Sequence, residues 1–105
     1  MRAPVIRISI SRFDVKIAPK IEAKLLESRE KLEPGVRALK GNLGFFFGID
    51  HEHGAMQNVS IWETVADAKQ LDTFEPMRKL GVEFSQIGVN FDHPVMNYDT
   101  VWQFD

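Results

Sequence analysis

The chain has 105 residues, 13 basic and 15 acidic side chains and a formal net charge of −2. Its length suits one domain, 1–105, and 44% apolar residues, with eight Phe, two Trp and one Tyr, provide for a core and argue against disorder. Near-neutral, unclustered charge speaks against nucleic acid, the lack of cysteine excludes disulfides, thiol catalysis and cysteine-ligated zinc, and no apolar run approaches the roughly 18 residues of a membrane span.

Met1-Arg2-Ala3-Pro4 leads straight into an alternating segment that carries Arg7. This reads as no signal peptide, and the expected location is cytoplasmic. From Val5 to Ser11 the alternation is clean: Ile6, Ile8 and Ile10 face one way, Arg7, Ser9 and Ser11 the other, the period of a strand. Pro19 suits a first helical turn. Ile21, Leu25, Ser28 and Leu32 then recur at helical spacing, and Pro34-Gly35 ends the helix, predicted over 19–32. Gly44 to Ile49 is aromatic and bounded by glycine, hence a strand. A polar loop through Gly54 returns the chain as a second strand over 57–63, making a hairpin. Thr64-Val65-Ala66-Asp67 has the form of a capping box. A helix to about Asp72 follows. Glu75-Pro76 breaks or restarts it, and Phe74, Met77, Leu80, Phe84 and Ile87 continue the helical stripe to Gly88. Asp92-His93-Pro94 reads as a turn, and Val95 to Phe104 as the last strand, with Met96, Tyr98, Trp102 and Phe104 on one face.

The order is β-α-β-β-α-β, an α+β, ferredoxin-like antiparallel sheet with helices on one face. Sorting the strands by parity gives one nearly apolar face: Ile6, Ile8, Ile10, Phe45, Phe47, Ile49, Val59 and Ile61. The other is mixed: Arg7, Ser9, Ser11, Phe46, Asn58, Ser60 and Trp62. Helices over the mixed face leave an apolar sheet open, which a second copy covers in a twofold dimer. Helices over the apolar face leave a monomer with a mixed outer face. Parity alone keeps both readings.

This pattern resembles the dimeric α+β-barrel superfamily, in particular the antibiotic biosynthesis monooxygenase-like domains. The residues that carry the resemblance are Gly41-Asn42-Leu43-Gly44-Phe45-Phe46, Val59-Ser60-Ile61-Trp62-Glu63, Thr64 to Lys69 leading into Phe74, and Thr100-Val101-Trp102-Gln103-Phe104. The resemblance implies a homodimer through facing sheets, with a pocket in each subunit between the sheet and its own helices. It also implies small-molecule chemistry, often oxygenation without metal or flavin. Its haem-degrading branch fits poorly: Trp62 matches a tryptophan of that branch, but Ser9 or Ser11 stands where it has asparagine, and the second helical region has no histidine.

On that reading Ser9, Phe46, Asn58, Ser60 and Trp62 would contact a small aromatic or hydrophobic molecule. Arg7 would steady an anion, and His93 would act as a base. Plainer readings stand beside these: core packing for Trp62, a solvated sheet for the serines and Asn58, an ion pair with a helix carboxylate for Arg7, and an exposed turn for His93. His51-Glu52-His53 has metal-ligand chemistry but reads as a polar hairpin loop, so no metal and no cofactor is expected. Asn97 and Asp99 face away from Tyr98, as pocket groups or an interface pair. Two functions remain open: a cofactor-independent monooxygenase, or a non-catalytic dimeric binding or stress-related accessory module.

Overall fold

The computed structural model describes residues 3–104. Strand β1 (Val5–Arg12) leads through a 3-10 turn into helix α1 (Ala18–Arg37). The hairpin β2 (Asn42–Asp50) and β3 (Ala55–Trp62) follows. Helix α2 (Val65–Ala68), a 3-10 turn (Lys69–Thr73) and helix α3 (Glu75–Gln86) come next, then the short strands β4 (Asn90–Phe91) and β5 (Met96–Asp99). The sheet order is β2-β3-β1-β4, with β5 also on β1, and every pairing is antiparallel. The helices pack on one face, so the architecture is the α+β, ferredoxin-like one that the pattern predicts.

Hydrophobic periodicity accounts for most of these elements. Ala18, Ile21, Ser28, Leu32 and Val36 are the buried positions of α1. The helix continues through Pro34 and Gly35 instead of ending before them. Two contacts outweigh the breaker signal: Val36 is buried in the core, and Gly35 presses on Phe74, whose Cζ would stand 2.6 Å from a Cβ there. Thr64 caps α2, its Oγ1 accepting from the Asp67 N–H at 3.0 Å. Pro76 sits in the first turn of α3, where its missing N–H costs nothing. In the hairpin loop Gly54 takes φ +67, and its carbonyl accepts from the Phe13 N–H at 2.8 Å; a Cβ there would collide with Phe13 O.

Two expectations need correction. The predicted final strand, 95–104, is only the short β5, Met96–Asp99, and a second short strand, β4, precedes it across the cis His93–Pro94 turn. β5 ends where its partner does: Val5 pairs with Asp99, and the Thr100 N–H reaches Pro4 O. The second correction concerns the faces. Phe45 pairs with Ser60 and Phe47 with Asn58, whereas Phe46 pairs with Val59. Phe45, Phe47 and Ile49 therefore lie on the helix side, and Phe46 on the open side. The parity of β2 was legible but its phase was not, because Phe occupies three consecutive positions and an irregularity between Asn42 and Gly44 shifts the register.

The core sits between sheet and helices in two clusters. Val5, Leu32, Val36, Trp62, Ala68 and Leu71 form one. Phe13, Ala18, Ile21, Met56, Phe84 and Val89 form the other. The mixed face of the sheet is thus the covered one. The open face presents Ile6, Ile8, Ile10, Phe46, Val59 and Ile61, joined by Met96 and Tyr98 through their pairing with Ile8 and Ile6.

Candidate functional site

The register sets a row of polar side chains under the helices. Arg7 pairs with Ser60 on one side and Asn97 on the other; Ser9 pairs with Asn58, and Val5 with Trp62. Since alternate residues share a face, Arg7, Ser9, Asn58, Ser60, Trp62 and Asn97 share this one.

Arg7 is only 6% exposed. One guanidinium nitrogen donates to Asp72 Oδ1 at 3.0 Å, while its Nε–H has no partner. This carboxylate lies in the 3-10 turn, half-exposed, so the pair is buried at the guanidinium end and wet at the other. The ion pair expected as the plainer reading of Arg7 is therefore present. Asn58 donates from Nδ2 to Phe46 O at 2.9 Å, leaving its Oδ1 unpaired, and Asn97 Oδ1 is unpaired as well. A buried polar atom without a partner costs about 1–3 kcal/mol. Here one orphaned donor and two orphaned acceptors stand on neighbouring strands of one face, and a hydroxyl group, both donor and acceptor, answers the donor and one acceptor at a time.

Trp62 and Ser60 are placed differently. Both are 0% exposed, and the indole Nε1–H donates to Ser60 Oγ at 2.8 Å. With no surface reachable by water, they wall the site from behind and touch nothing that enters it in this conformation. Phe46 stands on the opposite face of the sheet. His93 lies in the exposed turn between β4 and β5. That turn adjoins the Ser11–Phe91 pair, four residues or about 13 Å along β1 from Arg7. The structure thus brings together Arg7, Ser9, Asn58, Ser60 and Trp62, and leaves Phe46 and His93 elsewhere.

Asp72 was missed as a member of the cluster, whereas Asn97 was offered as a pocket group or interface residue from its alternation with Tyr98. Asp72 lies 65 positions from Arg7, and no local pattern links them.

The hairpin histidines do not converge. His51 bonds Glu22 at 2.7 Å, and His53 Nδ1 bonds Asp50 Oδ2 at 2.9 Å. The backbone N–H of His53 and then its ring hold the Asp50 carboxyl below its ordinary pKa. Among the described residues no three His, Cys, Asp or Glu side chains gather as a metal site.

Two depressions mark the surface. One of about 450 Å³ lies on the open sheet face, against Ile8, Ile10, Gly48, Gln57 and Val59. The other, about 360 Å³, runs between α1 and α3, with Lys24, Lys31 and Lys79 on its rim and Leu32 and Leu80 at its base. Neither is lined by the Arg7 cluster. The first is a property of the uncovered apolar face, and the buried polar row is the better guide to chemistry.

No family model matches the sequence, and no curated protein matches it. Solved structures do match in fold. A candidate antibiotic biosynthesis monooxygenase from Deinococcus radiodurans is similar with a TM-score of 0.72 over 96% of each chain, at 12% identity. Another from Nitrosomonas europaea is similar at 0.68, over 97% of this chain and 94% of that one, at 10% identity. A hydroxynitrile lyase from Passiflora edulis covers 100% of both chains at 0.66 and 16% identity. The chain has the fold of the antibiotic biosynthesis monooxygenase-like, dimeric α+β-barrel proteins. Among structures of this fold one is named a lyase, so the fold does not choose the reaction.

Proposed function

We propose that the protein is a homodimeric, small-molecule-binding α+β barrel, and that each subunit oxidises an aromatic or hydrophobic hydroxyl compound with O₂ without metal or flavin. The observation that carries this reading is the row of buried, unpaired polar atoms: Arg7 Nε, Asn58 Oδ1 and Asn97 Oδ1. A phenol or enol oxygen accepts from Arg7, and its one hydroxyl hydrogen goes to one of the two amide carbonyls. Ser9 adds a further donor. Trp62 and Ser60 back the site.

The chemistry balances with the substrate as reductant. A methylene beside the phenol or enol becomes a carbonyl: R₂CH₂ and O₂ give R₂C=O and H₂O. The C–H proton leaves to Asp72 and then to solvent. Arg7 steadies the resulting enolate through a charge-assisted bond. The enolate passes one electron to O₂, the radical pair joins as a peroxide at carbon, and the peroxide, protonated again, loses water. His93 has no part in this arrangement because of its distance from Arg7.

A second reading, binding without turnover, is favoured by one observation: Asp72 already neutralises Arg7, and no imidazole stands beside it. Calorimetric titration with a hydroxyanthrone, alongside an oxygen electrode, separates the two. Saturable O₂ uptake that Arg7→Met abolishes, with unchanged circular dichroism, supports the oxygenase. Binding that weakens about tenfold in Arg7→Met and Asn97→Leu, without O₂ uptake, supports the binding module. Binding indifferent to both variants overturns the site.

A further inference from the structure

Neither surface depression touches Arg7, but the one between α1 and α3 lies above it. On β1 and β3 the pairs Arg7–Ser60 and Ser9–Asn58 stand between Val5–Trp62 and Ser11–Met56. Val5 and Trp62 belong to one core cluster and Met56 to the other, so the polar row fills the interval between the clusters. Among the described residues Leu80 alone packs against both clusters. Its side chain therefore bridges that interval from the helix side. Leu80 also lines the base of the α1–α3 groove, beside the buried Ser28 and Leu32. It thus stands between the groove and the polar row.

The groove holds about 360 Å³, within the roughly 300–1,000 Å³ of small-molecule sites. Its walls are charged, and the charges are not equally committed. Lys24 bonds Glu83 from α1 to α3, and its ammonium lies 5.7 Å from the Phe84 ring centre, which straps one end. Glu75 takes two bonds from Arg78. Lys31 on α1 and Lys79 on α3 have no salt-bridge partner among the described residues. Of the groove's carboxylates, Glu27 is left to oppose them. Two cations against one carboxylate give the open end a positive surplus.

We propose that the α1–α3 groove is the outer half of the Arg7 site, that Leu80 is the partition between the halves, and that the groove selects an aromatic hydroxy acid. The hydroxyl goes inward to Arg7, and the acid group stays outside with Lys31 and Lys79. The inference rests on the Arg7 site proposed above and adds the substrate's second point of recognition. Leu80 is only partly buried, and a change of rotamer in one leucine opens the way between two staggered wells. A flat aromatic ring in the gap restores the dispersion contacts that Leu80 gives up.

Two probes, a hydroxyanthrone and its ring carboxylate, test this by calorimetry without O₂. The carboxylate is expected to bind about tenfold more tightly at low salt. Lys31→Gln/Lys79→Gln is expected to abolish that preference and to leave the affinity for the parent hydroxyanthrone unchanged. Salt at about 0.5 M is expected to do the same. Arg7→Met is expected to weaken both probes alike. Leu80→Phe, a bulkier partition, is expected to slow the association of both about tenfold in stopped flow, with the circular dichroism unchanged.

Equal affinities that the lysine variant does not alter, with both probes still weakened by Arg7→Met, overturn the groove and leave the Arg7 site standing. A carboxylate preference that needs the lysines in a protein indifferent to Arg7→Met divides the two places and overturns the inference together with the Arg7 site. Association rates unchanged in Leu80→Phe overturn the partition. A wild-type protein that binds neither probe overturns both halves.

Discussion

The two faces of the sheet reverse the usual order of inside and outside. The covered face holds Arg7, Ser9, Asn58, Ser60 and Trp62 under the helices, while the uncovered face holds Ile6, Ile8, Ile10, Phe46, Val59, Ile61, Met96 and Tyr98. An isolated monomer with this arrangement keeps the costly groups dry and the greasy ones wet. Each departure has its own account. The polar groups are partly satisfied, by Asp72 and by the Trp62–Ser60 bond, and the atoms left over suit a ligand. The apolar face suits a second copy. The covered face is therefore a mixed one, a polar row set among the apolar core clusters, and the open face is the more uniformly apolar of the two.

The comparison breaks most severely at Trp62. Trp62→Ala removes the largest fully buried side chain and is expected to cost about 3–5 kcal/mol in urea unfolding, enough to unfold many domains of this size. A cost under about 1 kcal/mol means the covered face is not the core. On the other face Val59→Lys is expected to separate the copies, raising the dimer Kd at least about a hundredfold, near 2.7 kcal/mol. The unfolding free energy of the separated chain should stay within about 1 kcal/mol. If that lysine unfolds the chain and leaves no soluble monomer, the open face is part of the fold.

Ser60→Ala sharpens the contrast with less violence. It strips the indole N–H of its partner in a site closed to water, for an expected loss of about 1–2 kcal/mol. Ser60→Thr, which keeps the hydroxyl, is expected to recover part of it.

Acid gives the smallest effect, on neither face. Bonds from Arg29 and Arg37 lower the Glu33 pKa, two from Arg78 lower that of Glu75, and one from Lys24 lowers that of Glu83, all below the ordinary 4.5. Their contribution is fully present above pH 4.5 and fades as pH falls through the lowered folded-state values. A shallow decline in Tm below that pH, flattened by salt, is expected, because exposed pairs are weak and screened. A steep cooperative loss above pH 5.5 points to a buried group instead.

Much of this was legible one element at a time. Ile6, Ile8 and Ile10 announced β1, Thr64 and Asp67 announced the cap of α2, and the spacing of Ile21, Leu25, Ser28 and Leu32 announced α1. The fold class followed from their order. The site was half legible: the polar partners on β1 and β3 sorted correctly because each strand's parity was unambiguous. Phe46 went to the wrong face because Phe45, Phe46 and Phe47 fit either phase. His93 was drawn into the site by its chemistry and left out of it by its place in the exposed turn between β4 and β5.

The sequence by itself determined the order of the main elements, the polar row on β1 and β3, and the apolar character of its reverse side. These rest on local periodicity, which a chain carries in one dimension. Only the tertiary structure decided which face the helices cover, the phase of β2, the end of β5 at its partner's limit and the pairing of Arg7 with Asp72. Register and long-range pairing depend on where separate elements meet. That meeting is set by the packing of the whole core, and no stretch of neighbouring residues encodes it.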